Sequence, residues 1–511
     1  MICAAYLARA GLDTLLVEAR PEVGGCASTV AALGARVNIC NCDHTMFQTT
    51  PVMDELDLAA HGLRYLDVDP AQLSMLHDGG PAWPVFRDEE KTLTALALTY
   101  PGEVEGYRRY LRAARPLAEL LIELANEVPT RRSVLGTLAE RRGRGVTTLL
   151  RWSRRSVADV LRGYFREDAL IAPAITVGPA VWGLSPDTPR TGLGALTYAT
   201  KHVAQVGRPV GGSGAVPAAL LSAFRAAGGH VRLGRAVDAI LCEGDRVRGI
   251  ETVDGEVATA NIVVSACDPH ATFLHWLRRP PASARDLVAR WQEKPTADGY
   301  ESKLDAIVTA APVYRQLDPV LPRRLGFDPL HATAIIAPRV EAMAEAHRAM
   351  ARGRVTDRPM LFANVPSVLD PALRPPAGGA SDPSDALPAH VFSLETLFTP
   401  YGLAGGWTQS REPRRWLEVY AERVEPGFLD GVLRHRTMDP VAYEREFSLP
   451  RGHATSYSGG PLAAIRGTDP ELTRYETAVS GLYLTGAATF PGAGVWGASG
   501  RNAALAVLRK M

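Results

Sequence analysis

Three groups of residues have types and spacing that could do chemistry. The first is Glu18, which closes the apolar run Thr14-Leu15-Leu16-Val17 and is followed by Ala19-Arg20-Pro21 and then Glu22-Val23-Gly24-Gly25. An acid at the tip of a parallel strand of a doubly wound sheet is where a nucleotide ribose hydroxyl is bound, and a glycine pair lets the backbone approach a ligand closely. The second is Phe490-Pro491-Gly492-Ala493-Gly494-Val495-Trp496-Gly497-Ala498-Ser499-Gly500, which follows the strand-like Gly481-Leu482-Tyr483-Leu484-Thr485-Gly486-Ala487 and runs into a final helix. Glycines at that density before a helix free backbone amides to face an anionic or electron-rich ligand. The third is Cys40-Asn41-Cys42-Asp43-His44, made of metal-ligand types. It is a single cluster with no second pair at ligand spacing, so a structural or substrate-side loop is expected there and no metal is assigned.

Elements must hold these groups in place. Ile2 to Ala10 is Ala-rich with Gly11 at a C-cap position, the pattern of a short helix. The small side chains Ala4, Ala5 and Ala8 let it lie close to a sheet. The run ending in Glu18 has the character of a parallel strand covered on both faces. A glycine fingerprint belongs about 20 residues before such an acid, and counting back from Glu18 runs off the chain. The sequence as written is therefore expected to begin inside the first helix, without the first strand and its phosphate-holding loop. On that expectation it binds its nucleotide weakly and is less stable than a version extended upstream.

Helix, strand, Glu18 and Glu22-Val23-Gly24-Gly25-Cys26-Ala27-Ser28 together resemble the start of the phytoene desaturase-like branch of the flavin-dependent amine oxidase superfamily. The C-terminal Thr-Gly-Ala, Pro-Gly-x-Gly-Val and Gly-Arg-Asn-Ala-Ala segments resemble the same family, as does Pro209-Val210-Gly211-Gly212-Ser213-Gly214-Ala215-Val216-Pro217. The resemblance implies FAD as cofactor. It places Glu18 on the FAD ribose in the loop that carries Arg20, Gly24 and Gly25 at the close backbone approach, and Val237 beside the adenine. It places Gly486, Ala487, Gly494, Val495 and Gly497 along the ribityl, phosphate and isoalloxazine. Ala266 closes a strand, Asn261 to Cys267, that approaches the cofactor edge. Cys26 stands where the family carries a basic residue, and Ala493 where many members have a further glycine.

At 511 residues two domains are expected. A hydrophobic content of 46% with 22% charged residues is ordinary for a globular protein, and a net charge of +1 offers no global field for nucleic acid. Six sparse cysteines (Cys3, Cys26, Cys40, Cys42, Cys242, Cys267) suit free thiols in a reducing compartment, so a cytoplasmic location is expected. No apolar run is long enough to span a membrane. Residues 131–155 carry Arg131, Arg132, Arg141, Arg142, Arg144, Arg151, Arg154 and Arg155, interleaved with Val146, Leu149, Leu150 and Trp152. Such a stretch is either a solvated face or a peripheral membrane contact.

Between the two signal-rich ends the pattern predicts a strand and loop over 33–48, a helix over 51–58 with Thr50 as N-cap, and a hairpin from Leu73 to Phe86 turning at Asp78-Gly79-Gly80. A mainly helical stretch follows from Asp88 to Tyr164. Gly211 to Gly214 is expected to be a tight entry with no strand leading into it, before a helix from Ala215 to Ala227. Strands follow at 230–233, 236–241 and 247–252. Further on, strands are predicted at Ala306 to Ala310, Ala332 to Ala337, Met360 to Val365 and His390 to Phe398. Helices are predicted at Val340 to Met350 and Glu412 to Val424, and a mobile loop from Leu373 to Pro388.

The fold class expected is α/β, a doubly wound Rossmann-like FAD-binding domain with an inserted mixed α+β substrate domain. The FAD-binding parts are 1–66, 206–295 and 456–511, and the substrate parts 67–205 and 296–455. The expected activity is dehydrogenation, or else saturation or isomerisation, of a small apolar, isoprenoid or lipid-like substrate, with hydride passing in the dehydrogenation to the flavin and then to an acceptor such as oxygen or a quinone. Flavin oxidoreductases need little acid–base machinery from the protein, and His44, His202 and His453 are scattered, so no catalytic base is assigned. Trp496 and Tyr401 are expected as core or as lining of an apolar pocket. An amine oxidase is the rival enzyme, weakened by the absence of a clear aromatic cage and by few lysines. A non-catalytic, flavin-free protein is the rival from another class, resting on the missing glycine loop.

Overall fold

The computed structural model describes residues 1–40, 43–375 and 389–511. Asn41 and Cys42 of the cysteine cluster, and residues 376–388 of the expected loop, lie outside the described residues.

The first helix is Ile2–Arg9 and the first strand Leu15–Glu18. The strand pairs in parallel with His230–Leu233, Glu18 opposite Leu233. A second parallel pair joins Val263–Ser265 to Leu482–Leu484. Helices cover these pairs. Ala5 and Ala8 of the first helix are buried with Val216, Ala219, Leu220 and Phe224 of the helix Ala215–Ala226. Its other flank, with Cys3 and Leu7, packs on Ala503, Ala504 and Val507 of the last helix Ala498–Leu508. A Cβ on Gly500 would lie 2.7 Å from Cβ of Ile2, so the small residue sets how closely those two helices meet. An antiparallel three-stranded sheet, Val237–Glu243, Arg246–Thr252 and Val257–Thr259, flanks this α/β body.

The second body is built on a seven-stranded sheet. Its order is Val432–Met438, Glu301–Val308, His390–Leu397, Leu361–Asn364, Thr333–Ala337, Gln72–Leu76 and Trp83–Val85. One face buries Leu304, Ala306, Phe392, Leu394 and Ile336 against Trp416 and Tyr420 of the helix Glu412–Ala421. At one end the opposite face, with Ile335, Phe362 and Leu76, meets a helical cluster centred on Tyr107, Tyr110, Trp152, Phe165 and Tyr198. The 22-residue helix Val104–Ala125 supplies much of that cluster.

The hairpin is formed as expected by Gln72–Leu76 and Trp83–Val85. Three sequence expectations need correction. The strand placed at Ala306 to Ala310 runs instead over Glu301–Val308. Charged Glu301, Lys303 and Asp305 occupy every second position, with Ser302, Leu304 and Ala306 between them, which masks a strand buried on both faces. A short strand, Gly207–Pro209, does lead into Gly211, held by antiparallel pairing to Tyr65–Asp67. The helix expected over 51–58 is only Val52–Glu55, capped by Pro51 rather than Thr50.

Candidate functional site

Glu18 ends its strand with its carboxylate turned back on its own loop: Oε1 accepts the Arg20 backbone N–H at 2.9 Å. The Arg20 guanidinium donates to the Gly25 carbonyl at 3.1 Å and lies over the Phe447 ring at 4.3 Å. The loop is thereby pinned at both ends. Gly24 and Gly25 have φ of +117° and +56°, conformations that disfavour any Cβ. At Gly24 a Cβ would also lie 2.6 Å from Cγ of Pro217, in the first turn of the helix Ala215–Ala226. The chain reaches Val237 by passing Glu18 again, since the Arg235 N–H donates to the Glu18 carbonyl at 2.9 Å. Val237 opens its strand opposite Thr252.

Ala266 and Gly486 leave the second parallel pair side by side. The Thr485 N–H donates to the Ser265 carbonyl at 2.8 Å, and a Cβ on Gly486 would lie 3.2 Å from the Ala266 carbonyl oxygen. The Gly486 N–H donates to Ser499 Oγ at 3.0 Å, which ties the strand end to the last helix. Gly494 and Gly497 have φ of +97° and +80°. Gly497 is the N-cap of that helix, and Val495 packs on the core of the first α/β layer. Ala266, Cys267, Ala487 and Gly494 are exposed. Cys267 is exposed by surface area, yet burial, followed by the charge of Glu18, pushes its thiol up to about 11. Exposed and densely surrounded at once describes the floor of a recess. The Glu18 strand end and the Ala266–Gly486 strand ends therefore face one another across it.

Below the glycine pair, Cys26 lies beside Cys40, and that neighbour together with burial pushes the Cys40 thiol up. Beside them Asn38 joins three parts of the chain. Its carbonyl accepts Lys303 Nζ at 2.7 Å, and its side-chain Oδ1 accepts the Ser213 N–H at 2.9 Å and Thr29 Oγ1 at 2.8 Å. Lys303 is buried and ion-paired to Asp305. Arg436 Nε reaches the other oxygen of Asp305 at 3.4 Å. Glu395 sits opposite Lys303 on the neighbouring strand. Burial pushes its carboxyl up to about 7, against the pull of Lys303. Burial, then the charge of Glu395, raises Glu301 well above the usual carboxylate range.

These residues of the seven-stranded sheet were not among the sequence candidates. The available signal was the alternation Glu301, Lys303, Asp305 at period two, which places all three on one face of a strand.

A second buried polar group lies nearby. Arg208 pairs with Asp43, outweighing the effect of burial and holding that carboxyl low. His44 contacts Tyr65 Oη at 2.8 Å and Ser213 Oγ at 3.1 Å, and burial lowers it to about 4. His202 and His453 lie elsewhere, His202 against Tyr107 and His453 beside Tyr300. Tyr401 is taken up by Glu444 and by Arg451 over its ring. Among the described residues no His, Cys, Asp and Glu group could hold a metal.

Residues 1–293 match the family model described as flavin containing amine oxidoreductase. The chain is 28% identical to pyridine nucleotide-disulfide oxidoreductase domain-containing protein 2 of Mus musculus, over 100% of this chain and 92% of that one. It is 26% identical to a phytoene desaturase (neurosporene-forming) of Rhodobacter capsulatus, over 81% of this chain and 74% of that one. Among solved structures, an oxidoreductase from Methanosarcina mazei superposes with a TM-score of 0.62 at 16% identity, covering 99% of this chain and 97% of that one.

Proposed function

The chain belongs to the flavin containing amine oxidoreductase family, and from that premise we propose that it dehydrogenates an apolar, isoprenoid- or lipid-like substrate. It is a flavin oxidoreductase of the amine oxidase and phytoene desaturase type, and its cofactor is FAD. The observation that carries the reading is the recess between the two sets of parallel strand ends. Glu18 uses only Oε1 on a described partner, which leaves Oε2 for a ribose hydroxyl. Small residues and positive-φ glycines line the approach, where side chains would obstruct a planar ligand. These features fit FAD.

In this reading Glu18 binds the ribose, the Arg20-pinned loop presents Gly24 and Gly25 with Cys26 beneath, and Val237 flanks the adenine. Ala266, Gly486, Ala487, Gly494, Val495 and Gly497 line the rest of the cofactor. The flavin supplies the two-electron chemistry, and the protein orients the substrate and excludes water. An apolar substrate is supported by the relative named as a phytoene desaturase. An amine substrate is the second reading. Glu301 and Glu395 favour it, because two carboxyls without described hydrogen-bond partners suit an ammonium group.

The experiment is anaerobic mixing of flavin-loaded protein with linear isoprenoids and, separately, with primary amines, following flavin absorbance. Bleaching by isoprenoids alone supports the first reading, and bleaching by amines alone replaces it with the second. Reoxidation by oxygen or by a quinone then assigns the acceptor. We also propose peripheral contact with anionic membranes through residues 131–155. Leu135 and Leu150 are exposed there, in the stretch that carries Arg131, Arg132, Arg142 and Arg144.

A further inference from the structure

Glu395 is an anomaly. It is nine-tenths buried, at 9% exposure, on the inward face of a central strand, and no described residue hydrogen-bonds its carboxyl. The neighbouring cations are committed elsewhere. Lys303 holds Asp305 and the Asn38 carbonyl, and Arg436 also reaches for Asp305. The Glu395 oxygens are not among the side-chain atoms sealed from solvent without a partner, so the carboxyl keeps some solvent contact within an otherwise buried cluster, and perturbed carboxyls in such openings are candidates for function.

Its surroundings point to the cofactor recess. Cys40, whose thiol feels the charge of Glu395, lies beside Cys26, the residue directly after Gly24 and Gly25, and Lys303, the direct strand partner of Glu395, donates to the Asn38 carbonyl at 2.7 Å. Glu301 lies diagonally across from Glu395 on the same sheet face, since Lys303 is its direct partner and Leu397 is that of Glu301. Long side chains bridge such diagonals. The remaining groups facing the pair are Tyr300 and Tyr443, which feel both glutamates and Cys40, together with Lys303 and Asp305. With Lys303 and Arg436 positive and Asp305 negative, the cluster is neutral when one of the two glutamates is ionised and the other protonated. Two carboxyls this close in low dielectric do not both ionise readily.

We propose that Glu395, sharing a proton with Glu301, is the group that takes up one proton each time the cofactor takes up two electrons. Two electrons and one proton reach the flavin, as hydride from a substrate or from a chemical reductant, and the ring gains one negative charge. The Glu395 carboxylate takes a second proton and becomes neutral, which offsets that charge. In turnover that second proton is the one leaving the substrate carbon as its C–H electron pair becomes the new π bond. On reoxidation both protons are released. The inference rests on FAD binding but not on the identity of the substrate. At a pKa of about 7 the group is poised to change protonation at neutral pH.

The test is the midpoint potential of the protein-bound flavin from pH 6 to 9, by reductive titration with a chemical reductant. Any second protonation of the reduced ring, beyond the one that arrives with the two electrons, is read from its absorbance and subtracted. A two-electron couple shifts by about 30 mV per pH unit for each proton taken up. Wild type is expected to show about 60 mV per unit around and above neutrality, and Glu395→Gln about 30. Glu301→Gln replaces a partner that is protonated whenever Glu395 is ionised, so it removes no like charge and is expected to keep the slope at about 60 mV per unit. A wild-type slope of about 30 throughout overturns the proposal without any variant, and so does an unchanged slope in a folded, flavin-loaded Glu395→Gln. Protein that binds no flavin overturns the FAD reading itself, a different observation from a flat slope.

Discussion

Gly24 carries two independent constraints at once, a φ of +117° and a neighbour, Pro217 Cγ, 2.6 Å from where a Cβ would sit. Alanine there strains the backbone and pushes the loop off its helix, at a cost of about 1–3 kcal/mol. Gly24→Ala is expected to lower both the melting temperature and the flavin content of purified protein. Gly25→Ala, with open space around its Cβ position, should suffer from φ alone and lose less. Glu18→Ala tests the other side of the recess. It removes the proposed ribose acceptor and should weaken FAD binding by about 10- to 100-fold, at about 1.5–3 kcal/mol for hydrogen bonds to a charged group, with a smaller loss of apoprotein stability from the Arg20 N–H left without its acceptor. Equal flavin affinity in equilibrium titration would remove Glu18 from the site. The left-handed glycines and the strand end at Glu18 were legible in sequence because a glycine's conformation and the end of a strand are set locally. Lys303 and Glu395 were not, because their meaning lies in who stands opposite them.

At the scale of elements, the last helix is the part most exposed to a single change. It touches the first helix through Gly500, where a Cβ would lie 2.7 Å from Ile2. It is also tied to Glu55 by the two-pronged Arg501, with contacts of 2.6 and 2.7 Å, and to the Ala125 carbonyl by Asn502 at 2.9 Å. Gly500→Val is expected to wedge the two helices apart and cost about 1–3 kcal/mol through overpacking. Because Ser499 in the same turn holds Gly486, flavin affinity should fall with stability. Thermal melts with and without added FAD measure both. A loss of stability with unchanged affinity would mean that the strand end at Gly486 is positioned without the helix. On the large sheet, Lys303→Met leaves buried Asp305 with only Arg436 in its ion pairs and should cost about 3–5 kcal/mol. Chemical denaturation checks that figure.

Over the whole molecule, stability should depend on pH through histidines kept neutral inside it. Burial lowers His44 and His77 to about 4, against an ordinary value near 6.5. Below the ordinary value the unfolded chain binds protons that the folded chain refuses, so stability falls as pH drops from about 6.5 toward 4. Each histidine contributes up to about 3 kcal/mol to that fall. Glu301 and Glu395, held above the usual carboxylate range, act with the opposite sign in the same window, so the test is the difference between proteins: His77→Asn should lose less melting temperature than wild type between pH 7 and pH 4. The basic stretch gives a second measurement at this scale. Replacing Arg131, Arg132, Arg142 and Arg144 by glutamine should reduce co-sedimentation with phosphatidylserine vesicles and leave neutral vesicles unaffected. Equal sedimentation would make those arginines a solvated face. Among the described residues no helix is long and apolar enough to cross a membrane.

The two ends of this chain could be read from sequence because local rules write them. A strand closed by an acid, a glycine pair and a glycine-dense entry into a helix are short-range patterns, and the strand His230–Leu233 emerged with its predicted bounds for the same reason. The polar face of the seven-stranded sheet could not be read. Lys303 and Asn38 are 265 positions apart, Glu395 and Lys303 meet only by strand pairing, and nothing local distinguishes a charged residue of a buried strand from one in a loop. In that stretch the charges at Glu301, Lys303 and Asp305 made the first half of a strand that is paired on both sides from Lys303 onward look like a surface segment. Burying charge is costly unless partners are supplied, and those partners come from distant segments that only the tertiary structure brings together.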